Sequence, residues 1–447
     1  MIKKYDKYKK TNFDLLEMIP IGWSLQKIKF MASIYNGDSL NDDFKIQFES
    51  YNQDELAYIS SKDIDVDTSK VQYDNGLRIP KEQQKFKIAP ANSTLLCIEG
   101  GSAGRKIAFI NQDVFFVNKL ACFNIQNPIT SKYLYYSLKA DIFQAQFKNS
   151  ITGMIGGVSI SNLKNFYLAF PSIEDQSRVV NFLDHQTSII DQLIQQKEKL
   201  FELLKEKRQA VINEAVTKGL NPNAKMKDIG IEWLGKVPAD WDLVPLKHLG
   251  TIKYGLGQPP KYKEGGLPLI RATNVERGKI VTKDLVFVDP DDVPFERDPV
   301  LRENDIIVVR SGAYTADSAI IPKEYEGAIT GYDMVIRAEK VHPKLLAFSL
   351  LSYYLLNNQL FLKRMRSAQP HLNAEELGES FLLLPPQKQQ TEIVTYLEYQ
   401  VGRIEDLGNR IIEAISKLKE FRQSIISEVV TGKIDVRNWQ PNKQQVA

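Results

Sequence analysis

The sequence predicts an α/β (α+β) protein built from two heads in tandem. Each head is followed by a long helix, and the two helices pair as an antiparallel coiled coil. Three observations predict it. The chain aligns without a gap onto itself, residues 171–217 onto 385–431, with roughly a third of positions identical, the mark of a duplicated unit. A second echo precedes each block: "LLEMIPIGWSL" (15–25) resembles "WLGKVPADWDL" (233–243), matching Pro20 with Pro238 and Trp23 with Trp241. Both repeated blocks carry apolar residues every seven positions.

Seven segments follow in order: an entry segment (1–24), a variable head (25–170), a first helix (171–218), a linker with a second entry (219–242), a second head (243–384), a second helix (385–432) and a tail (433–447). The heads read as mixed helix and strand. "LLCIEGGSAGRKIAFI" (95–110) and "IIVVRSGAYTADSAII" (306–321) run strand, Gly-containing turn, strand. "SKYLYYSLKADIFQAQF" (131–147) and "PKLLAFSLLSYYLLNNQLFLKRM" (343–365) read as helices, and "FYLAFP" and "FLLLPP" as closing strands.

Pro171 and Pro385–Pro386 stand just before the long helices. In the second helix Leu397, Ile404, Ile411, Leu418 and Ile425 recur every seven residues, and Leu407, Ala414 and Phe421 are expected to fill the seam between them. The first keeps Leu183, Ile190, Leu204 and Val211, with Leu193 and Leu200 between, interrupted by Lys197 and Lys207. About 40 residues of continuous helix span roughly 60 Å. Parallel pairing would make the heads collide, whereas antiparallel pairing separates them about a pseudo-twofold axis. Two different heads at a fixed spacing suit duplex DNA, which offers reading sites about 34 Å apart on one face.

The 447 residues suffice for two or three domains, and a net charge of +3 requires any DNA-binding charge to be local. No apolar run approaches membrane-spanning length, and the start lacks the apolar core of a secretory signal. Two cysteines, Cys97 and Cys122, are too few for a disulfide framework and fit a reducing cytosol.

These residues resemble the specificity subunits of Type I restriction–modification systems, over nearly the whole chain. The carriers are the duplicated "IGIEWLGKVPADWDL"-like entry, the helix openings "FPSIEDQSRVVNFLD" and "LPPQKQQTEIVTYLE", and the helix ends "RQAVINEAVTKG" and "RQSIISEVVTGK". The resemblance implies two target-recognition domains, each reading half of a gapped double-stranded DNA site, and a non-catalytic chain that binds no cofactor. It further implies two methyltransferase subunits using S-adenosylmethionine, restriction/translocase subunits using ATP and Mg, and a place in the bacterial or archaeal cytoplasm, away from membranes. One departure is that the usual Pro-Pro-x-x-Glu-Gln opening has Asp175 as its acid in the first copy and Gln389 in the second.

No catalytic motif competes. There is no phosphate loop, no Gly-x-Gly-x-x-Gly after a strand, no Asn/Asp-Pro-Pro-aromatic tetrapeptide, and the four histidines lack metal-ligand spacing. Asp43-Phe44-Lys45 reads as loop. A self-sufficient methyltransferase or nuclease and a protein-binding coiled-coil scaffold are the rival readings.

Residue types that contact phosphates and base edges cluster at equivalent places in the heads. Before the last strand lie Lys148, Thr152 and Ser159 in the first head and Lys363, Arg364, Arg366, Gln369 and His371 in the second. The strand turns offer Ser102, Arg105 and Lys106, and Arg310, Ser311 and Tyr314. A third pair is Ser60, Ser61 and Lys62 against Arg271, Thr273 and Asn274, of which Arg271 and Asn274 suit bidentate reading of guanine and adenine. These make up the expected DNA-binding set; no residue is expected to be catalytic or to bind a metal.

Overall fold

A computed structural model describes residues 3–153, 156–364 and 370–441, Arg364 by its backbone only. Its two compact units do not follow the repeat boundaries. One comprises residues 3–198 and 413–441, the other residues 199–412. Each unit therefore combines one head, the first half of that head's own helix, and the second half of the other copy's helix.

The heads share a framework despite their divergent sequences. In the first, a four-stranded antiparallel sheet runs Ser33–Asn36, Leu120–Asn124, Thr94–Cys97, Ile107–Phe109. In the second, the same order is Gly250–Tyr254, Met334–Ala338, Ile306–Val308, Ser318–Ile320. The registers coincide: Ala121 faces Asn36 and Leu96, and Met334 faces Tyr254 and Val308. The central strands of both sheets are buried on both faces, and they read as largely apolar runs for that reason, while the edge strands Ser33–Asn36 and Gly250–Tyr254 are partly exposed.

Each entry strand pairs with the strand that closes its head. Ser24–Lys27 lies antiparallel to Tyr167–Phe170, and Asp242–Pro245 to Phe381–Leu384. A head thus leaves and rejoins the scaffold at neighbouring points. Asp43-Phe44-Lys45, expected in a loop, lies in the short helix Asp42–Gln47, because Asn41 caps its first turn by accepting from the Phe44 N–H.

The long helices are Ile173–Lys218 and Gln387–Val430. They run antiparallel inside each unit. In the first, Arg422 lies 2.8 Å from Asp191, while Tyr133 Oη donates to the carbonyls of both Ala169 and Val430. In the second, Arg208 lies 3.3 Å from Glu405, and Phe201 packs against Gly408. Arg208 and Arg422, and Asp191 and Glu405, are matched positions of the duplication.

The seven-residue series is buried or, at Leu204, Val211 and Leu418, partly buried, but apart from the partly buried Ala414 its companion positions are one residue later than predicted. Leu193, Leu200, Leu407 and Phe421 are exposed, and Lys207 is exposed as well. Ile194 and Phe201, and Gly408 and Ile415, face inward instead. A seam spaced four then three places Gly408 inside, where its missing side chain admits the Phe201 ring; a Cβ there would sit 3.2 Å from it. Hydrophobicity alone favoured Leu407, and packing volume chose its neighbour.

The duplicated helix ends grip the heads. Gln423 Nε2 donates to the Lys139 carbonyl and Ser427 Oγ accepts from the Asp141 N–H, securing the break between helices Pro128–Lys139 and Asp141–Asn149. In the second unit, Gln209 Nε2 donates to the Leu351 carbonyl and Asn213 Oδ1 accepts from the Tyr353 N–H, at the equivalent break after Pro343–Leu350. Gly219 and Gly432 then stop the helices in the left-handed region, at φ 72° and 73°. A Cβ at Gly219 would press on Trp241, and one at Gly432 on Pro20.

Candidate nucleic-acid interface

In each head three chain segments converge, and they are the three that the sequence singles out. In the first, Lys106 Nζ donates to the Ser61 carbonyl at 2.7 Å, joining the 60–63 turn to the 99–106 turn. The latter turn pairs with the loop before the last helix: Glu99 bridges Gly157, and the Val158 N–H donates to the Ile98 carbonyl. In the second head Ser311 bridges His371, the Leu372 N–H donates to the Arg310 carbonyl, and Thr315 Oγ1 donates to the Pro370 carbonyl. The buried Asp333 carboxylate accepts the N–H groups of Arg310 and Ala272, tying in the 271–274 turn.

Several expected contact residues have side chains engaged in holding these turns. Asn274 is fully buried; Oδ1 accepts from the Arg271 N–H, and Nδ2 donates to the Val281 and Lys283 carbonyls. It has no group left for a base. Ser60 is bound to Asp63 through both its N–H and its hydroxyl, the same turn as Arg271–Asn274. Lys363 Nζ donates to the Glu376 carbonyl and Ser380 Oγ, Ser159 caps the Ile160–Lys164 helix, and Arg271 donates to the Asp284 carbonyl at 2.6 Å. Short polar side chains that read bases also close turns, so residue type alone does not separate the two roles.

Lys62, Arg105, Lys148, Thr152, Thr273 and Tyr314 are exposed on or beside these turns, and Ser61, Ser102, Ser311 and His371 are half-buried among them. Arg364 ends the helix Phe361–Arg364, and Arg366 and Gln369 lie outside the described residues. Sequence reading missed Tyr254 and Tyr332, whose rings flank Arg310 with its guanidinium carbon 4.4 and 4.2 Å from their centroids. The missed signal was an aromatic two residues ahead of a central strand and another at the end of the edge strand.

Burial pushes the Asp333 carboxyl up to about 6, against the N–H groups of Arg310 and Ala272 and the Arg310 charge, which pull it down. A raised value stabilises the fold below the unfolded value near 3.8, and that contribution is lost as pH rises through about 6. Ionised Asp333 therefore costs about 3 kcal/mol at neutral pH. Thermal melts of wild type and Asp333→Asn should show the wild type gaining about 1 kcal/mol on the variant between pH 7.5 and 5. A difference independent of pH would contradict this.

Among the described residues, no three His, Cys, Asp or Glu side chains group as metal ligands, and no single helix is long and apolar enough to cross a membrane.

The model of the Type I restriction modification DNA specificity domain matches residues 20–202 and again 238–417. The chain belongs to the Type I restriction–modification DNA specificity family. It is a specificity subunit with two tandem specificity domains. It is 25% identical over 366 residues to the MjaVIII specificity subunit of Methanocaldococcus jannaschii, covering 80% of this chain and 83% of that one. It is 21% identical over 436 residues to the EcoKI specificity subunit of Escherichia coli K12, covering 93% and 90%. A solved chain from work on complex assembly and conformational transition of the type I R-M system shares the fold. Its TM-score is 0.70 at 15% identity, over 93% of this chain and 99% of that one.

Proposed function

We propose that the two heads read the two halves of a gapped, asymmetric double-stranded DNA site and position methyltransferase and restriction subunits upon it. The observation that carries this reading is the paired loop cluster: one framework twice, with different exposed side chains at equivalent places. Identical heads would read a palindrome, and differing heads read two unlike halves. The chain itself is non-catalytic. S-adenosylmethionine, ATP and Mg enter through its partners, in the cytosol of a bacterium or archaeon.

Co-expression with a methyltransferase subunit in a methylation-free host, followed by single-molecule sequencing, tests the reading. Methyl-adenine confined to one gapped, two-part motif is the expected result. Complex formation without modification would favour a protein-binding scaffold, and turnover of S-adenosylmethionine by the chain alone would favour an enzyme.

The docking surface for the two methyltransferase subunits is assigned to the outer helix faces. Leu193 and Leu407 are matched positions of the duplication, each more than a third exposed, which suits two copies of one partner. Leu193→Glu with Leu407→Glu should abolish co-purification of the methyltransferase while leaving the melting temperature of the isolated chain unchanged within a few degrees. Undiminished co-purification would place the docking surface elsewhere.

A further inference from the structure

The second head contains a cation that forms no ion pair with any described carboxylate. Arg310 follows the central strand Ile306–Val308 and is only half-buried, yet its Nε is sealed from solvent and has no hydrogen-bond partner among the described residues. Its guanidinium lies between the rings of Tyr254 and Tyr332, both more than 40% exposed. Nη2 stands 3.5 Å from His371 Nε2, a weak contact at best. Among the described residues no carboxylate lies within 4.0 Å of the group, whereas Arg337 pairs with Asp305 and Arg208 with Glu405. Asp333 takes the backbone N–H of Arg310 and not its side chain.

Stacking between aromatic rings fixes the plane of a guanidinium and restricts its rotamers, so little freedom remains to be lost on binding. What such a group lacks is a pair of acceptors in its own plane. In the loop cluster read above as the DNA interface, the O6 and N7 atoms of guanine in the major groove supply that pair. We propose that Arg310 reads a guanine in the half-site of the second head, with Tyr254 and Tyr332 as positioning residues.

The first head cannot do the same. By sheet register its equivalent positions carry Ile98 for Arg310, Asn36 for Tyr254 and Lys119 for Tyr332. The feature is particular to one head, as a determinant of half-site identity must be. The inference rests on the proposed DNA reading, and its test is arranged so that the two fail separately.

The complex would be formed with wild type, Arg310→Lys, Arg310→Ala and Tyr332→Leu, and the modified motif read in each case. The second head's half is identified beforehand by head exchange. In wild type that half should hold a guanine on one strand. Arg310→Lys keeps the charge but loses the planar fork, and it should relax that one position roughly ten- to hundred-fold, leaving the other half unchanged. Arg310→Ala should do likewise, and Tyr332→Leu should give a smaller relaxation at the same position. A phosphate contact would instead weaken modification of all sites alike, with Lys substituting well for Arg, and would overturn the proposal. So would an unchanged motif in Arg310→Ala, or a second half-site of A·T pairs only. The absence of any gapped motif in wild type would overturn the DNA reading itself.

Discussion

Exchange of residues 243–384 for the corresponding segment of another family member is expected to replace one half of the modified motif and leave the other half intact. The reason lies in how the head is attached. Asp242 faces Leu384 across the strand pair that opens and closes the segment, so both graft points lie on adjacent strands. The grip supplied by Gln209 and Asn213 reaches backbone groups, the Leu351 carbonyl and the Tyr353 N–H, and does not depend on the identity of the side chains it holds. Modification of the original site should fall to background, the largest change a substitution in this chain can produce. Sequencing of methyl-adenine in host DNA reads both halves at once. A change in both halves would show that the heads do not read independently.

Trp241→Ala is expected to destabilise the second unit by about 3–5 kcal/mol, enough to unfold much of it at growth temperature. The indole is 1% exposed, lies under Gly219, and donates from Nε1 to Gln389 Oε1 at 2.8 Å. Its counterpart Trp23 is buried as well, but its Nε1 has no partner among the described residues; Asp175 stands where Gln389 does and pairs with Arg178. Two Trp→Phe variants separate packing from hydrogen bonding. Trp241→Phe should lose about 1–2 kcal/mol more than Trp23→Phe, since only the former strands an acceptor. Denaturant unfolding followed by circular dichroism checks both. Equal losses at the two sites would show that the Gln389 bond contributes nothing. The exchange of acid for amide in the helix opening thereby acquires a physical consequence: Gln389 accepts from the indole with its oxygen and donates to Asp240 with its nitrogen.

The duplication was written in the sequence and determined most of the architecture. The Pro–Trp entries, the seven-residue series beginning at Leu183 and Leu397 and the matched Gln209/Gln423 are local patterns, and local patterns survive in one dimension. Helix identity and antiparallel direction followed from them, as did the two-headed reading. Tertiary structure decided everything that depends on volume or on which polar atom meets which. It chose Gly408 over Leu407 for the seam, because a ring from the other helix needed the space. It placed the second half of each helix in the unit of the other copy's head, a partition that no boundary in the repeat marks. It buried Asn274 in one turn and tied the Ser60 hydroxyl to Asp63 in the other, although their types suit base reading, since a short polar side chain satisfies a nearby polar group before it reaches a distant base. And it assembled Arg310 with Tyr254 and Tyr332 from the ends of three neighbouring strands, a juxtaposition invisible in sequence because sheet register, and not chain proximity, brings them together.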